Sequence, residues 1–310
     1  MAGLYIHVPF CHAKCAYCDF YSRPTDKITD ISFAELIRKE FQLRQPEIED
    51  IKTIYFGGGT PSILPLDQVE AFAAFLPNLI GKSQTEFTVE FNPEDATNER
   101  LEMWRDLGAD RVSMGIQSFN DSELKAIGRR HTAADAISAY ERLRTTFDNI
   151  SIDLIVGLPG QTLDSLRQNL MKAVALRPEH ISVYILSYEP GTRLWAMRQT
   201  GKITETDDDT IATMYAEACA PLSVAGYSHY EISNFALPGK EALHNSSYWS
   251  GEPYLGLGPS AHSYGNDSIR RYNPNNYKLW SEKIASGQTA FVTETETPAE
   301  KTNNIIMTRL

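Results

Sequence analysis

Cysteine is scarce in this chain, four in 310 residues, and three of the four crowd between positions 11 and 18. A secreted disulfide framework spreads its cysteines along the fold, so this distribution excludes one and suits a metal or redox cluster. No run of about 18 apolar residues is present, which excludes a helix that spans a membrane. The opening MAGLYIHVPF passes straight into a strand-like segment, without the charged start and apolar core of a signal peptide. The expected location is cytoplasmic, with membrane contact only through a partner. Positive charge is also short, 29 basic against 40 acidic residues for a net of −11. That balance denies the broad basic face a phosphate backbone needs, so nucleic acid is not an expected partner. Repeats and low-complexity tracts are missing, and 42% hydrophobic with 22% charged residues is an ordinary globular composition.

Short apolar or β-branched runs recur at Leu4–Val8, Thr53–Phe56, Glu86–Phe91, Arg111–Ile116, Ile150–Val156 and His180–Leu186. Each predicts a strand. Between them, helical patterns cover Ile31–Arg44, Leu66–Leu79, Asn98–Leu107, Ala133–Thr145 and Thr162–Leu176. Alternation of this kind predicts parallel βα units with right-handed crossovers, hence an α/β fold built as a partial or full parallel β/α barrel. Periodicity does not choose between a closed eight-fold barrel and an open six-unit one. From about Glu205 the rhythm changes to a long helical stretch, then Tyr227–Ile232, then a loop-rich segment through Tyr264. The expected division is a barrel with its cysteine loop over 1–225, closure and ligand loops over 226–290, and the start of a truncated C-terminal helical or α+β appendage over 291–310.

The strongest signal is Cys11-x3-Cys15-x2-Cys18, directly after the first strand. Three thiolates in one tight loop can ligate three irons of a cubane and leave the fourth iron open. Read alone, the loop also allows a zinc site completed by His7 or His12, or three reduced core cysteines. The glycines of Gly57-Gly58-Gly59-Thr60 follow a strand, where bare backbone admits a close ligand; a plain βα turn is the alternative. Glu90, Gln117, Arg129 and Asp153 sit at or just beyond strand ends, with chemistry suited to hydroxyls, cations and a carboxylate. His244-Asn245-x-x-Tyr248-Trp249 and the following Gly256–Ser263 loop set histidines among aromatics. That setting suits either haem iron or a hydrogen-bonded loop. Cys219 lies on a helical pattern and is expected to pack as a small buried hydrophobe.

With Tyr5-Ile-His-Val-Pro-Phe-Cys11 ahead of the cysteine loop, these motifs resemble the radical S-adenosylmethionine family related to oxygen-independent coproporphyrinogen III oxidase. The matching segments run through Gly57–Ser62, Glu90–Pro93, Ser113–Phe119, Asp153–Gln161 and His244–Trp249. The resemblance implies a [4Fe–4S] cluster on Cys11, Cys15 and Cys18. It also implies S-adenosylmethionine on Tyr5, Tyr17, Gly58, Gly59, Thr60, Glu90, Gln117, Arg129 and Asp153. The oxidases of this family carry a further cysteine two residues after the third ligand, and here that position is Phe20. The pattern instead follows the haem-chaperone branch, which implies haem as ligand, His244 as its first candidate with His262 in reserve, and haem-accepting proteins and an electron donor as partners. The other function the resemblance implies is oxidative decarboxylation of a porphyrinogen by a 5′-deoxyadenosyl radical.

Overall fold

The computed structural model describes residues 2–25, 32–48, 50–76, 85–265, 269–294 and 297–307. Twelve strands of the described residues form one sheet: β1 (Ala2–Val8), β2 (Ile51–Gly58), β3 (Glu86–Phe91), β4 (Arg111–Gln117), β5 (Ile150–Val156), β6 (His180–Ile185), β7 (Ser228–His229), β8 (Asn234–Ala236), β9 (Tyr254–Leu257), β10 (His262–Tyr264), β11 (Arg270–Tyr272) and β12 (Val292–Glu294). Their order across the sheet is β12-β11-β10-β9-β1-β2-β3-β4-β5-β6-β8-β7. The run from β9 through β6 is parallel, and both flanks are antiparallel. The last strand in the list does not pair with the first, so the β/α barrel is an open one. Of the two arrangements the strand rhythm allows, this is the partial barrel.

Helices cover the outer face: α1 (Phe33–Arg44), α2 (Leu66–Ala73), α3 (Asn98–Leu107), α4 (Asp121–Ala126), α5 (Ala133–Arg144) and α6 (Leu163–Leu176). Their starts follow side-chain chemistry. Ser32 and Thr97 each accept a hydrogen bond from an orphan N–H of the first turn, and Thr132 and Thr162 form capping boxes. Ile31 and Leu79, the ends expected for two of these helices, lie outside the described residues.

Alternation along each strand separates two environments. On β3, Phe87, Val89 and Phe91 are buried; Phe87 stacks on Phe56 at 5.5 Å, and Trp104 of α3 meets Phe56 edge-on at 5.1 Å. The intervening Thr88 and Glu90 face the other way. Ser151 and Asp153 on β5 repeat the pattern between Ile150, Ile152 and Leu154. The concave face of the sheet is therefore polar and the convex face is the core. This corrects one expectation. Asp153 lies in the middle of β5 and reaches the interior through the pleat, and Arg129 lies in the turn after α4, so neither stands at a strand end.

Candidate functional site

Cys11 ends a two-residue strand, Phe10–Cys11, paired with Arg23–Pro24. The loop between returns on itself through a hydrogen bond from the Cys18 N–H to the Cys15 carbonyl, 3.4 Å. All three thiols are half-buried and free of disulfides. Burial pushes the Cys11 thiol up and the Cys18 thiol up to about 11. Without a metal Cys11 and Cys18 are therefore protonated, and ligation must displace those protons. Thr60 donates to Cys11 Sγ at 3.4 Å and Arg129 to Cys15 Sγ at 3.6 Å.

The triple glycine is used by the protein itself. Gly59 N–H donates to the Val8 carbonyl (2.8 Å) and Thr60 N–H to the Phe10 carbonyl (2.7 Å). A Cβ on Gly59 would stand 2.6 Å from the Phe10 oxygen, and one on Gly58, whose φ is +106°, would meet the His7 ring. Only glycine lets β2 run that close to the segment that presents Cys11. The βα-turn reading and the ligand reading both describe these residues, because Gly58 and Gly59 also line the cavity beside the cysteines.

That cavity measures about 450 Å³ and is lined by Cys11, Cys15 and Cys18, with Tyr17, Thr60, Glu90, Gln117, Arg129 and Asp153 facing them. Glu90 accepts from Tyr55 OH (2.9 Å) and from Gly58 N–H (3.1 Å). Burial, with Asp153 nearby, pushes its carboxyl up to about 7. Asp153, which accepts from Ser113 at 3.2 Å, is raised by burial as well. Two carboxylates that ionise reluctantly in one chamber suit a cationic ligand. Arg129 donates to Asn92 (2.7 Å) and to the Gly115 carbonyl (2.5 Å), and its Nε is buried without a partner. Gln117 ends β4 in the left-handed region, φ +70°, beside a register shift in the β4–β5 pairing. A non-glycine residue held there is the kind of strain that accompanies a functional position.

The donor set fits an iron–sulfur cluster better than a single zinc ion. Three thiols lining one chamber supply what a cubane needs, one thiolate for each of three irons. His7 and His12, the candidate fourth zinc ligands, are engaged elsewhere: His7 Nε2 with the Tyr21 carbonyl at 2.8 Å, His12 Nε2 with Asp95 at 3.3 Å.

A second and larger cavity, about 1040 Å³, adjoins the first and shares Asp19, Phe20, Glu90 and Tyr184 with it. Tyr5 lines this cavity and not the cysteine chamber. His244, at the start of the helix Leu243–Ser250, is fully buried; Thr53 Oγ1 holds its Nδ1 at 2.8 Å and Tyr248 OH its Nε2 at 2.8 Å. Its ring stacks on Tyr55, centroids 5.2 Å apart, and burial lowers its pKa to about 3. His262 on β10 also lines the cavity and is exposed. Tyr55 and Tyr184 line this cavity and sequence reasoning passed over them, because an aromatic in an apolar strand reads as core. The only signal is positional: Tyr184 and Ile185 end β6 exposed, 42% and 48%. Cys219 stands apart from both cavities, half-buried on the helix Asp208–Val224 and donating to the Tyr215 carbonyl at 3.3 Å.

An open β/α barrel with a three-cysteine loop above its concave face defines a class, and the comparisons agree on it. Residues 5–173 match the Radical SAM superfamily. The haem chaperone HemW of Bacillus subtilis is 40% identical over 85% of this chain and 71% of its own length. The mouse mitochondrial radical S-adenosyl methionine domain-containing protein 1 is 36% identical over 84% of this chain and 60% of its own length. The coproporphyrinogen III oxidase HemN of Escherichia coli, described as a radical SAM enzyme, superposes with a TM-score of 0.83 at 24% identity. It covers 99% of this chain and 74% of that one, and shows the shared fold. The chain belongs to the radical SAM superfamily and, within it, to the HemW haem chaperone family.

Proposed function

We propose that this protein is a haem chaperone that holds a [4Fe–4S] cluster on Cys11, Cys15 and Cys18, S-adenosylmethionine in the 450 Å³ chamber beside them, and haem in the larger cavity. The observation that carries this reading is the shared wall: Phe20, Glu90 and Tyr184 line both cavities, so a macrocycle in one lies next to the ligand of the other. When bound, the cluster supplies an open iron for the amino and carboxylate groups of S-adenosylmethionine and an electron source. The chain's own residues bind and orient. Glu90 and Asp153 offer carboxylates to the ligand's cationic and hydroxyl groups, Arg129 and Gln117 offer donors, and Gly58, Thr60 and Tyr17 complete the wall.

Tyr5, placed by the fold in the larger cavity, joins His244, His262, Tyr248 and Trp249 on the haem side, most of which come from residues 226–290. A cytoplasmic electron donor and haem-accepting proteins complete the proposal. The test is anaerobic reconstitution followed by titration with haem and, separately, incubation with coproporphyrinogen III and a reductant. Stoichiometric haem binding without conversion of the porphyrinogen is the expected result. Conversion without haem binding would overturn the reading in favour of the oxidase.

A further inference from the structure

Three imidazoles face the larger cavity, and the structure separates them by what their nitrogens already hold. His7 has both nitrogens engaged, Nδ1 with Tyr5 OH at 3.1 Å and Nε2 with the Tyr21 carbonyl at 2.8 Å. His244 is engaged twice as well, and its side chain is fully buried. An iron ligand needs a free lone pair on a ring that can be reached. For His244 that means giving up a hydrogen bond and opening a packed wall, each at a cost in free energy. His262 is exposed, stacks on Tyr272 with centroids 5.6 Å apart and planes 26° apart, and makes no hydrogen bond through its ring among the described residues.

The hairpin that carries His262 brings a second group with it. In the β10–β11 ladder His262 pairs with Tyr272 and Tyr264 with Arg270. Directly paired residues project to one face, and residues two apart on a strand share that face. His262, Tyr264, Tyr272 and Arg270 therefore stand together, with the Arg270 guanidinium 5.6 Å from the Tyr264 ring centroid. Arg270 is also the sole lysine or arginine on the cavity lining among the described residues, against Asp19, Glu90, Glu231 and Glu252. Glu294 of β12 pairs with Arg270 in the next ladder, so this wall carries both signs, and Arg270 is the one place on the lining where a propionate carboxylate meets an opposite charge.

We propose that the β10–β11 hairpin is the gripping face for haem, with His262 as the axial iron ligand and Arg270 as the partner of a propionate carboxylate, while His244 is a structural residue behind Tyr55. This rests on the haem reading above. Arg270 sits about 7 Å along the strand from the level of His262, which sets the carboxylate end of the macrocycle apart from its centre. The aromatic side chains of Trp249, Tyr248 and Phe20 supply the surface for the ring.

The test is titration of the reconstituted protein with ferric haem and with haem dimethyl ester, whose propionates carry no charge, followed at the Soret band. The parent should prefer haem over the ester. In His262→Ala the band should move and affinity should fall roughly tenfold or more, and added imidazole should restore the band. In Arg270→Gln haem should weaken to the level of the ester, with ester binding unchanged. A parent that binds no haem removes the functional reading and this inference together. A parent that binds haem while His262→Ala keeps the parent band and affinity, or while the band moves in His244→Gln instead, overturns the inference alone. Retention of the parent's preference for haem over ester in Arg270→Gln overturns the propionate assignment.

Discussion

Replacing Glu90 with glutamine isolates one charge in the chamber beside the cysteines. In the folded protein the Glu90 carboxyl titrates near 7, raised from 4.5 chiefly by burial and then by Asp153. A cationic ligand stabilises the ionised form, so binding releases a proton below pH 7 and affinity rises with pH. Between pH 8 and pH 6 the ionised fraction of a group with that pKa falls about tenfold, and affinity for S-adenosylmethionine should fall with it. Stability runs in the opposite direction. A carboxyl whose folded pKa is raised stabilises the fold while it stays protonated, and that advantage is lost as pH climbs from 4.5 through 7, by roughly 3 kcal/mol at 1.36 kcal/mol per pH unit. Glu90→Gln removes both dependences. Glutamine keeps one acceptor for the two donors, Tyr55 OH and Gly58 N–H, a cost that does not vary with pH. The assay is titration of the reduced, reconstituted protein with S-adenosylmethionine at pH 6 and 8, alongside denaturant unfolding of the metal-free protein at pH 5 and 8. The variant should bind weakly at both pH values and gain on the parent in stability as pH rises. Equal parent affinity at pH 6 and 8, or a variant that keeps the parent's slope, would refute the assignment of a titrating carboxylate to the ligand.

Cys11→Ala, Cys15→Ala and Cys18→Ala should each lose iron and sulfide on reconstitution while Cys219→Ala keeps about four irons, checked by colorimetric iron and sulfide assays. Gly59→Ala forces a Cβ to within 2.6 Å of the Phe10 carbonyl; a cost of about 1–3 kcal/mol in thermal unfolding and faster iron loss are expected. Glu40 is fully buried and accepts from Gly258 N–H (2.8 Å), Asn273 (2.6 Å) and Trp280 Nε1 (3.0 Å). Glu40→Ala leaves three buried donors unpaired, so a loss of about 3 kcal/mol or more is expected in a denaturant titration. If the variant unfolds at the parent's midpoint, water has replaced the carboxylate and this account of the Gly258 loop is wrong.

The cluster loop was legible because its chemistry is local: three thiols within one turn must share a chamber whatever the rest of the chain does. Strand and helix rhythm were legible for the same reason, since caps such as Thr132 and Thr162 act within one helical turn. The choice between the two candidate histidines was not. His244 attracts attention as a histidine among aromatics, yet Thr53 and Tyr248 fill its hydrogen bonds and Tyr55 stacks on its ring. His262 gave the weaker signal because an exposed histidine next to a glycine-rich loop looks like solvent-facing polarity. Tyr5 precedes the cysteine loop in sequence but points through the pleat into the neighbouring cavity. Tyr184 hid inside an apolar strand, since pattern alone does not tell a chamber wall from core.

Residue identity and spacing by themselves determined the class of this protein, its three-cysteine loop, its α/β repeat and the polar residues strung along the strands, because each depends on contacts within a few positions of the chain. Tertiary structure decided that the barrel stays open and that β9 joins the far side of β1, a pairing between segments some 250 residues apart that no local pattern specifies. It also decided that Gly59 serves the backbone of the cysteine loop, and which histidine keeps a free nitrogen. Those outcomes depend on what the concave face leaves uncovered once the core has packed, and that is settled by the whole sheet together.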